Sequence, residues 1–225
     1  MNAPAQSRLI EDHPWLAFDL GAPMQVLSWA INAPGFVTAR HILWREVRNA
    51  DLTLDMDVHP WLERQLRARG AADAVCFLTS RDVRHVHQHR ARVEGAEAHS
   101  VATVGLGNAE RVGTRRDKAT TDWGTINIAV AVQTGLTQAA MIEAMSIAAQ
   151  ARTAAIIELG VALPTGIATG TGTDCIAIAA PHGAGAYTGL HTALGEAIGA
   201  AVYHATKVGG ARWIQDTQTK GRPSP

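Results

Sequence analysis

The stretch TGIATGTGTDCIAIAAP, Thr165 to Pro181, sets one carboxylate, Asp174, among glycines, threonines and small apolar residues, and no other charged side chain falls between positions 159 and 195. A carboxylate in such surroundings must either be hydrogen-bonded, as a cap on a turn, or be used as an acid or base. Gly170 and Gly172 let backbone N–H groups approach developing negative charge, and Thr171 and Thr173 add hydroxyls, which together are the makings of an oxyanion site. Asp174 and Thr173 are therefore candidate catalytic residues, with Gly170, Thr171 and Gly172 as candidate substrate contacts. His182 ends the same segment and offers either a general base or acid or a solvated loop imidazole.

Two further runs carry amides. GLGNA, Gly105 to Ala109, ends a strand-like stretch, and GTIN, Gly124 to Asn127, opens another. Asn108 and Asn127 are candidates for stabilising an oxyanion or binding a substrate amide, although turns also favour asparagine. Thr125 is a candidate substrate contact beside them. Neither run is a phosphate loop, because GxxxxGK[ST] is absent and GLGNAE lacks the third glycine of a dinucleotide fingerprint. There is no GxSxG elbow, and neither Cys76 nor Cys175 stands in a reactive-cysteine context. His85, His87 and His89 would share one face of a strand, as a metal site requires, but Arg81, Arg84, Arg90 and Arg92 surround them and oppose a cation, so no metal ligand is assigned.

The elements that must position these groups follow from periodicity and punctuation. Met24 to Val47, interrupted by Asn32, Pro34 and Gly35, predicts a hairpin. Pro60 to Arg69 predicts a helix with Trp61, Leu62 and Leu66 on its apolar face and Gly70 as its stop. Strands are expected at Ala74–Thr79, His85–Glu94, Ala98–Gly105, Thr125–Gln133 and Cys175–Ala180. A helix from Thr137 to Leu159 has Thr137 as N-cap and Gly160 as its stop, with a narrow polar stripe of Glu143, Ser146, Gln150 and Thr153 and the other faces buried. A small-residue helix from Leu190 to Val208 should close at Gly209 and Gly210. Strands paired early and helices concentrated late define an α+β class, a layered mixed or antiparallel sheet with long helices packed on it. The organisation implied is an N-terminal extension (1–23), one domain (24–210) and a flexible C-terminal tail (211–225).

Charge supports a particular kind of ligand. The chain of 225 residues carries 20 basic and 20 acidic side chains and is 47% hydrophobic, which argues against a nucleic-acid partner and for a substantial core. Between Trp123 and Thr206 only Glu143, Arg152, Glu158, Asp174 and Glu196 are charged. Its apolar runs are too short and interrupted for a membrane span, and no export signal is evident, so the expectation is a cytoplasmic protein. Such a half suits packed core, a homo-oligomer interface and a pocket for a neutral ligand.

Taken in order, FLTSRDV (Phe77 to Val83), VGLGNAE (Val104 to Glu110), GTINIAV (Gly124 to Val130), the long helix and TGTGTDCIAIA (Thr169 to Ala179) resemble the adenosylcobinamide amidohydrolase (CbiZ) family over roughly residues 24 to 208. The resemblance implies an enzyme of corrinoid salvage that hydrolyses the amide joining aminopropanol to the corrin ring and releases adenosylcobyric acid. A corrinoid is then the substrate and small-molecule partner, and no cofactor is required. In that setting Asp174, with His182, would activate water or the Thr173 hydroxyl, Asn108 or Asn127 would help hold the oxyanion, and Thr79 would join the substrate contacts. One departure stands out: where a TEAK-like stretch is expected, this chain reads Ala149-Gln150-Ala151-Arg152, with an amide for an acid. Two other readings follow, a corrinoid-binding protein without hydrolysis and a metal-dependent amidohydrolase built on His85, His87 and His89.

Overall fold

The computed structural model describes residues 7–48, 51–52, 55–114 and 123–219. In chain order its elements are β1 (Arg8–Asp12), β2 (Trp15–Ser28), β3 (Gly35–Glu46), α1 (Val58–Ala68), β4 (Val75–Thr79), β5 (Val86–Val93), β6 (Ala96–Val104), β7 (Ala109–Glu110), β8 (Ile126–Val132), α2 (Gln138–Glu158), β9 (Ala162–Leu163), β10 (Gly166–Ile167), β11 (Gly170–Thr171), β12 (Cys175–Ala180) and α3 (Ala193–Thr219). A mixed eight-stranded sheet runs β4-β3-β2-β12-β8-β6-β5, with β1 paired to β2. The β12–β8 and β3–β4 pairs are parallel, and its other pairs are antiparallel. With three helices packed on it, the α+β expectation holds, although α1 is only 11 residues long.

The sheet curls so that one of its faces encloses a core of its own. Ile126, Ile128 and Val130 of β8 and Ile176 and Ile178 of β12 pack under α2 and α3. The alternate residues, Ala129, Ala131, Ala177 and Ala179, share a second core with Phe18, Trp44 and Phe77 of β2, β3 and β4. This is the two-residue strand period at work, with small residues on the concave face leaving room for aromatics. On the outside, Leu62 and Leu66 of α1 cover Leu43 and Cys76. The Asp57 and Thr137 side chains cap α1 and α2 by accepting from His59 N and Ala140 N.

Three expectations are corrected. The first strand of the hairpin starts at Trp15, and Trp15 to Leu20 are buried, so residues before 24 belong to the sheet. The interruption at Gly21 and Pro23 is a bulge in β2: the register shifts between Asp19 and Met24, and the buried Asp19 carboxylate accepts from Gly21 N (2.9 Å) and Arg40 Nε (3.0 Å). The last helix does not close at Gly209 and Gly210 but runs to Thr219. There the glycines serve close packing, since a Cβ on Gly209 would lie 2.8 Å from Val104 Cγ2 and one on Gly210 would run into Leu159 Cδ1. The faces of α2 outside its polar stripe are not all buried either, because Ile142 and Ile157 are exposed.

Candidate active site

At the N-terminal ends of β8 and β12 the curled sheet leaves a cleft of about 590 Å³. The edge strand β4 closes over it: Asn127 Nδ2, on buried β8, donates to Leu78 O at 2.8 Å. Thr79, Asn108, Thr125 and Asn127 line the cleft together with Gly172, Thr173 and Asp174. Residues from four separate sequence runs are thus brought together at one cleft.

Asp174 is the one acidic or basic side chain among the described lining residues. It is not isolated. Its Oδ2 is ion-paired with Nη1 of Arg152, which reaches it from α2, and its Oδ1 accepts from Thr171 N (3.1 Å), Ile126 N (3.3 Å) and the Thr171 hydroxyl. The carboxylate therefore caps the 171–174 turn and ties it to the start of β8. Burial pushes the Arg152 guanidinium below its ordinary value, and its Nε is enclosed without a hydrogen-bond partner. Arg152 is the residue that sequence reasoning missed. The signal was present, since Arg152 supplies the cation at the end of the TEAK-like stretch, whereas Gln150, the departure from that stretch, lies exposed on α2.

The remaining polar groups divide into engaged and available. Thr125 Oγ1 donates to Thr173 O (2.8 Å), Thr173 Oγ1 to Gly124 O (3.3 Å), and the Thr79 hydroxyl accepts from Arg81 N (3.0 Å). The Gly172 N–H donates to Asn108 O at 3.0 Å, and the Thr171 N–H to Asp174, so these backbone groups are not free oxyanion donors. The side-chain amide of Asn108 has no hydrogen-bond partner among the described residues and lies over Gly172, where a Cβ would be 3.0 Å from its Nδ2. It is a side-chain amide open to the cleft.

Three candidates fall elsewhere. Gly170 and Thr171 sit behind Asp174 rather than in the cleft, and a side chain on Gly170 would displace the Arg152 guanidinium. His182 lies beyond the C-terminal end of β12 while Asp174 precedes its first residue. At about 3.3 Å per residue that separation is roughly 20 Å or more, so the two cannot share a proton. Of the histidines, His85 lies in a 3₁₀ turn and His87 and His89 on β5, where burial lowers the pKa of all three. Their nitrogens do not converge; the one group of ligand atoms within 4.8 Å of one another among the described residues is His13, Glu46 and Asp82, none of which lines the cleft. Arginines already occupy both carboxylates there, Arg48 on Glu46 and Arg84 on Asp82. Cys175 borders the cleft with its thiol pushed up to about 11 by burial, which makes it a poor nucleophile.

The architecture is thus α+β, a curved mixed sheet with helices on one face and a cleft whose amides and hydroxyls surround one ion-paired carboxylate. The chain belongs to the adenosylcobinamide amidohydrolase (CbiZ) family, whose profile matches residues 2–218. An uncharacterized protein of Methanocaldococcus jannaschii, MJ1613, is 42% identical over 83 residues, which are 35% of this chain and 32% of that protein. The match to that relative thus spans about a third of its length. Among solved structures, the PH0078 protein from Pyrococcus horikoshii OT3 aligns with a TM-score of 0.41 and 9% identity over 99% of this chain and 89% of that one. Among the described residues no helix is long and apolar enough to cross a membrane.

Proposed function

We infer that this protein hydrolyses the amide between the corrin side chain and aminopropanol of adenosylcobinamide, giving adenosylcobyric acid. The observation that carries this reading is the lining of the cleft: amides, hydroxyls and apolar groups with one carboxylate, suited to a neutral, amide-bearing substrate. Asp174 takes a proton from water as its oxygen bonds to the amide carbon, and the Asn108 amide holds the oxyanion. The proton then passes to the leaving nitrogen as the C–N bond breaks, so that acid and aminopropanol leave. Arg152 and Thr171 keep the carboxylate aimed, and Thr173, Thr125 and Asn127 shape the wall against which the arm lies. No cofactor takes part, and the cobalt arrives and departs within the substrate. The protein acts in the cytoplasm.

The reading as a binder without hydrolysis draws on Gln150, and that side chain is exposed on α2 outside the cleft. Hydrolysis is therefore favoured. Incubation with adenosylcobinamide, followed by mass spectrometry, should yield adenosylcobyric acid and aminopropanol in equal amounts. Unaltered adenosylcobinamide after prolonged incubation with folded protein would refute the assignment.

A further inference from the structure

The geometry points to Trp29 and Trp123 as the platform that holds the macrocycle of the corrinoid outside the cleft while only its amide arm enters. This rests on the corrinoid reading given above and adds the residues that select for the ring. Of the six tryptophans, Trp15 and Trp44 are core residues, whereas Trp29 and Trp123 are 49% and 59% exposed. Both exposed indoles line the same cleft. Two half-bare indoles at one opening are a costly use of apolar surface unless a ligand covers them.

Neither tryptophan is a loosely attached surface residue. Trp29 Nε1 donates to the main-chain oxygen of Asp174 at 2.9 Å, which ties the indole to the turn that carries the carboxylate. Trp123 is anchored through its backbone: a Cβ on Gly107 would lie 2.6 Å from Trp123 O, and one on Gly124 would lie 2.5 Å from Gly107 N. The GLGN run that presents Asn108 is therefore packed directly on the segment that presents Trp123. The ring platform and the amide-cleaving groups are held in one frame from two sides.

Size decides which part of the ligand goes where. A cleft of about 590 Å³ encloses something of the order of a small drug molecule, less than a corrin macrocycle with its peripheral amides. The ring must remain at the opening, where a broad conjugated macrocycle with an apolar, amide-bearing rim meets indole faces rather than charged side chains. Corrinoid recognition then comes from stacking and apolar contact, and the few amides and hydroxyls of the interior read the amide arm.

Equilibrium binding of adenosylcobinamide, read by titration calorimetry on the full chain carrying Asp174→Asn so that the ligand is not consumed, tests this separately from turnover. Trp29→Ala and Trp123→Ala should each raise Kd about tenfold or more, and Trp29→Phe and Trp123→Phe should recover most of the loss, since a phenyl ring keeps the stacking surface. Thermal melts identify any variant that fails to fold, for which the phenylalanine variant then stands as the measurement. In steady state, with Asp174 retained, the alanine variants should raise KM with a much smaller change in kcat. Tryptophan-dependent binding without product would sink the hydrolase reading and leave the platform standing. Unchanged Kd in both folded alanine variants, or no binding of adenosylcobinamide by the Asp174→Asn chain with both tryptophans intact, would overturn the platform.

Discussion

The parallel pair β8–β12 ends in two contrasting ways. At its N-terminal end, backbone segments part around Asp174, Asn108 and Thr125 and leave a cleft. At its C-terminal end they close: Leu136 N donates to Pro181 O (2.9 Å), Gly185 N to Gly135 O (3.0 Å), and a Cβ on Gly183 would lie 2.6 Å from the Gly135 backbone. Open parallel α/β sheets place ligands outside the carboxyl ends of their strands. Here that end is sealed by glycine-on-glycine packing and the amino end opens into the cleft. The usual rule depends on helices following every strand, and in a mixed sheet with one central parallel pair the loops, not the strand polarity, decide where a ligand fits.

The most direct way to break the contrast is to remove the acid at the open end. Asp174→Asn should lower kcat by about 100-fold or more, the usual effect of losing a general base; turnover within tenfold of wild type would make Asp174 a turn cap only. Arg152→Met leaves the largely buried carboxylate without its cation and should lower stability by about 3 kcal/mol in urea melts, with Arg152→Lys restoring much of it. Equal stability of the methionine and lysine variants would deny the ion pair a structural role.

Near the sealed end lies His99, buried on β6 beside Ala131, with Ser7 Oγ at 2.9 Å from Nδ1 and Gln88 Oε1 at 2.9 Å from Nε2. Burial holds its pKa at about 4, below the ordinary 6.5. Between those values the unfolded chain takes up a proton that the fold refuses, so stability should fall as pH drops from about 6.5 to about 4, by up to about 3 kcal/mol, and be flat above. The loss should shrink in His99→Gln. Parallel pH curves for the two proteins would assign the acid sensitivity elsewhere.

At the sealed end the expected effect is on folding alone. Gly183→Ala must push two backbones apart and should cost about 2 kcal/mol, with kcat per folded molecule retained. Smallest of all, His182→Ala and Gln150→Glu, both at exposed positions, should leave stability within about 0.5 kcal/mol of wild type. A tenfold loss of turnover in either would return that residue to the mechanism.

These two ends also mark how far the sequence could be read. The interior strands were legible because β-branched runs bounded by glycine leave little choice, and β12 falls at Cys175–Ala180 as expected. The amides and hydroxyls of the cleft stood out because they flank glycines in otherwise apolar runs. Trp29 was not legible as a site residue, because its bond to Asp174 spans 145 positions and no local pattern announces such a contact, whereas Arg152, 22 positions from Asp174, was marked only by its place at the end of the TEAK-like stretch. The pairing of His182 with Asp174 failed for a related reason: eight positions is close along a sequence but the full length of a strand in space. Gly209 and Gly210 misled because a helix stop and a close helix–sheet approach both call for a missing side chain.

The extension of α3 past those glycines reaches further than packing. Asp216, near the end of that helix, bonds Arg81 Nη2 at 2.7 Å, and Arg81 N in turn bonds the Thr79 hydroxyl at 3.0 Å, with Ser80 between them at the mouth of the cleft. The final turns of the helix thus act as a buttress, supporting from outside the wall of the cleft that Thr79 and Ser80 line. A protein shortened at Gly210 would lose that support together with Trp213 and Ile214, which pack against the core under α2 and α3, so its melting temperature would fall along with the integrity of the cleft wall.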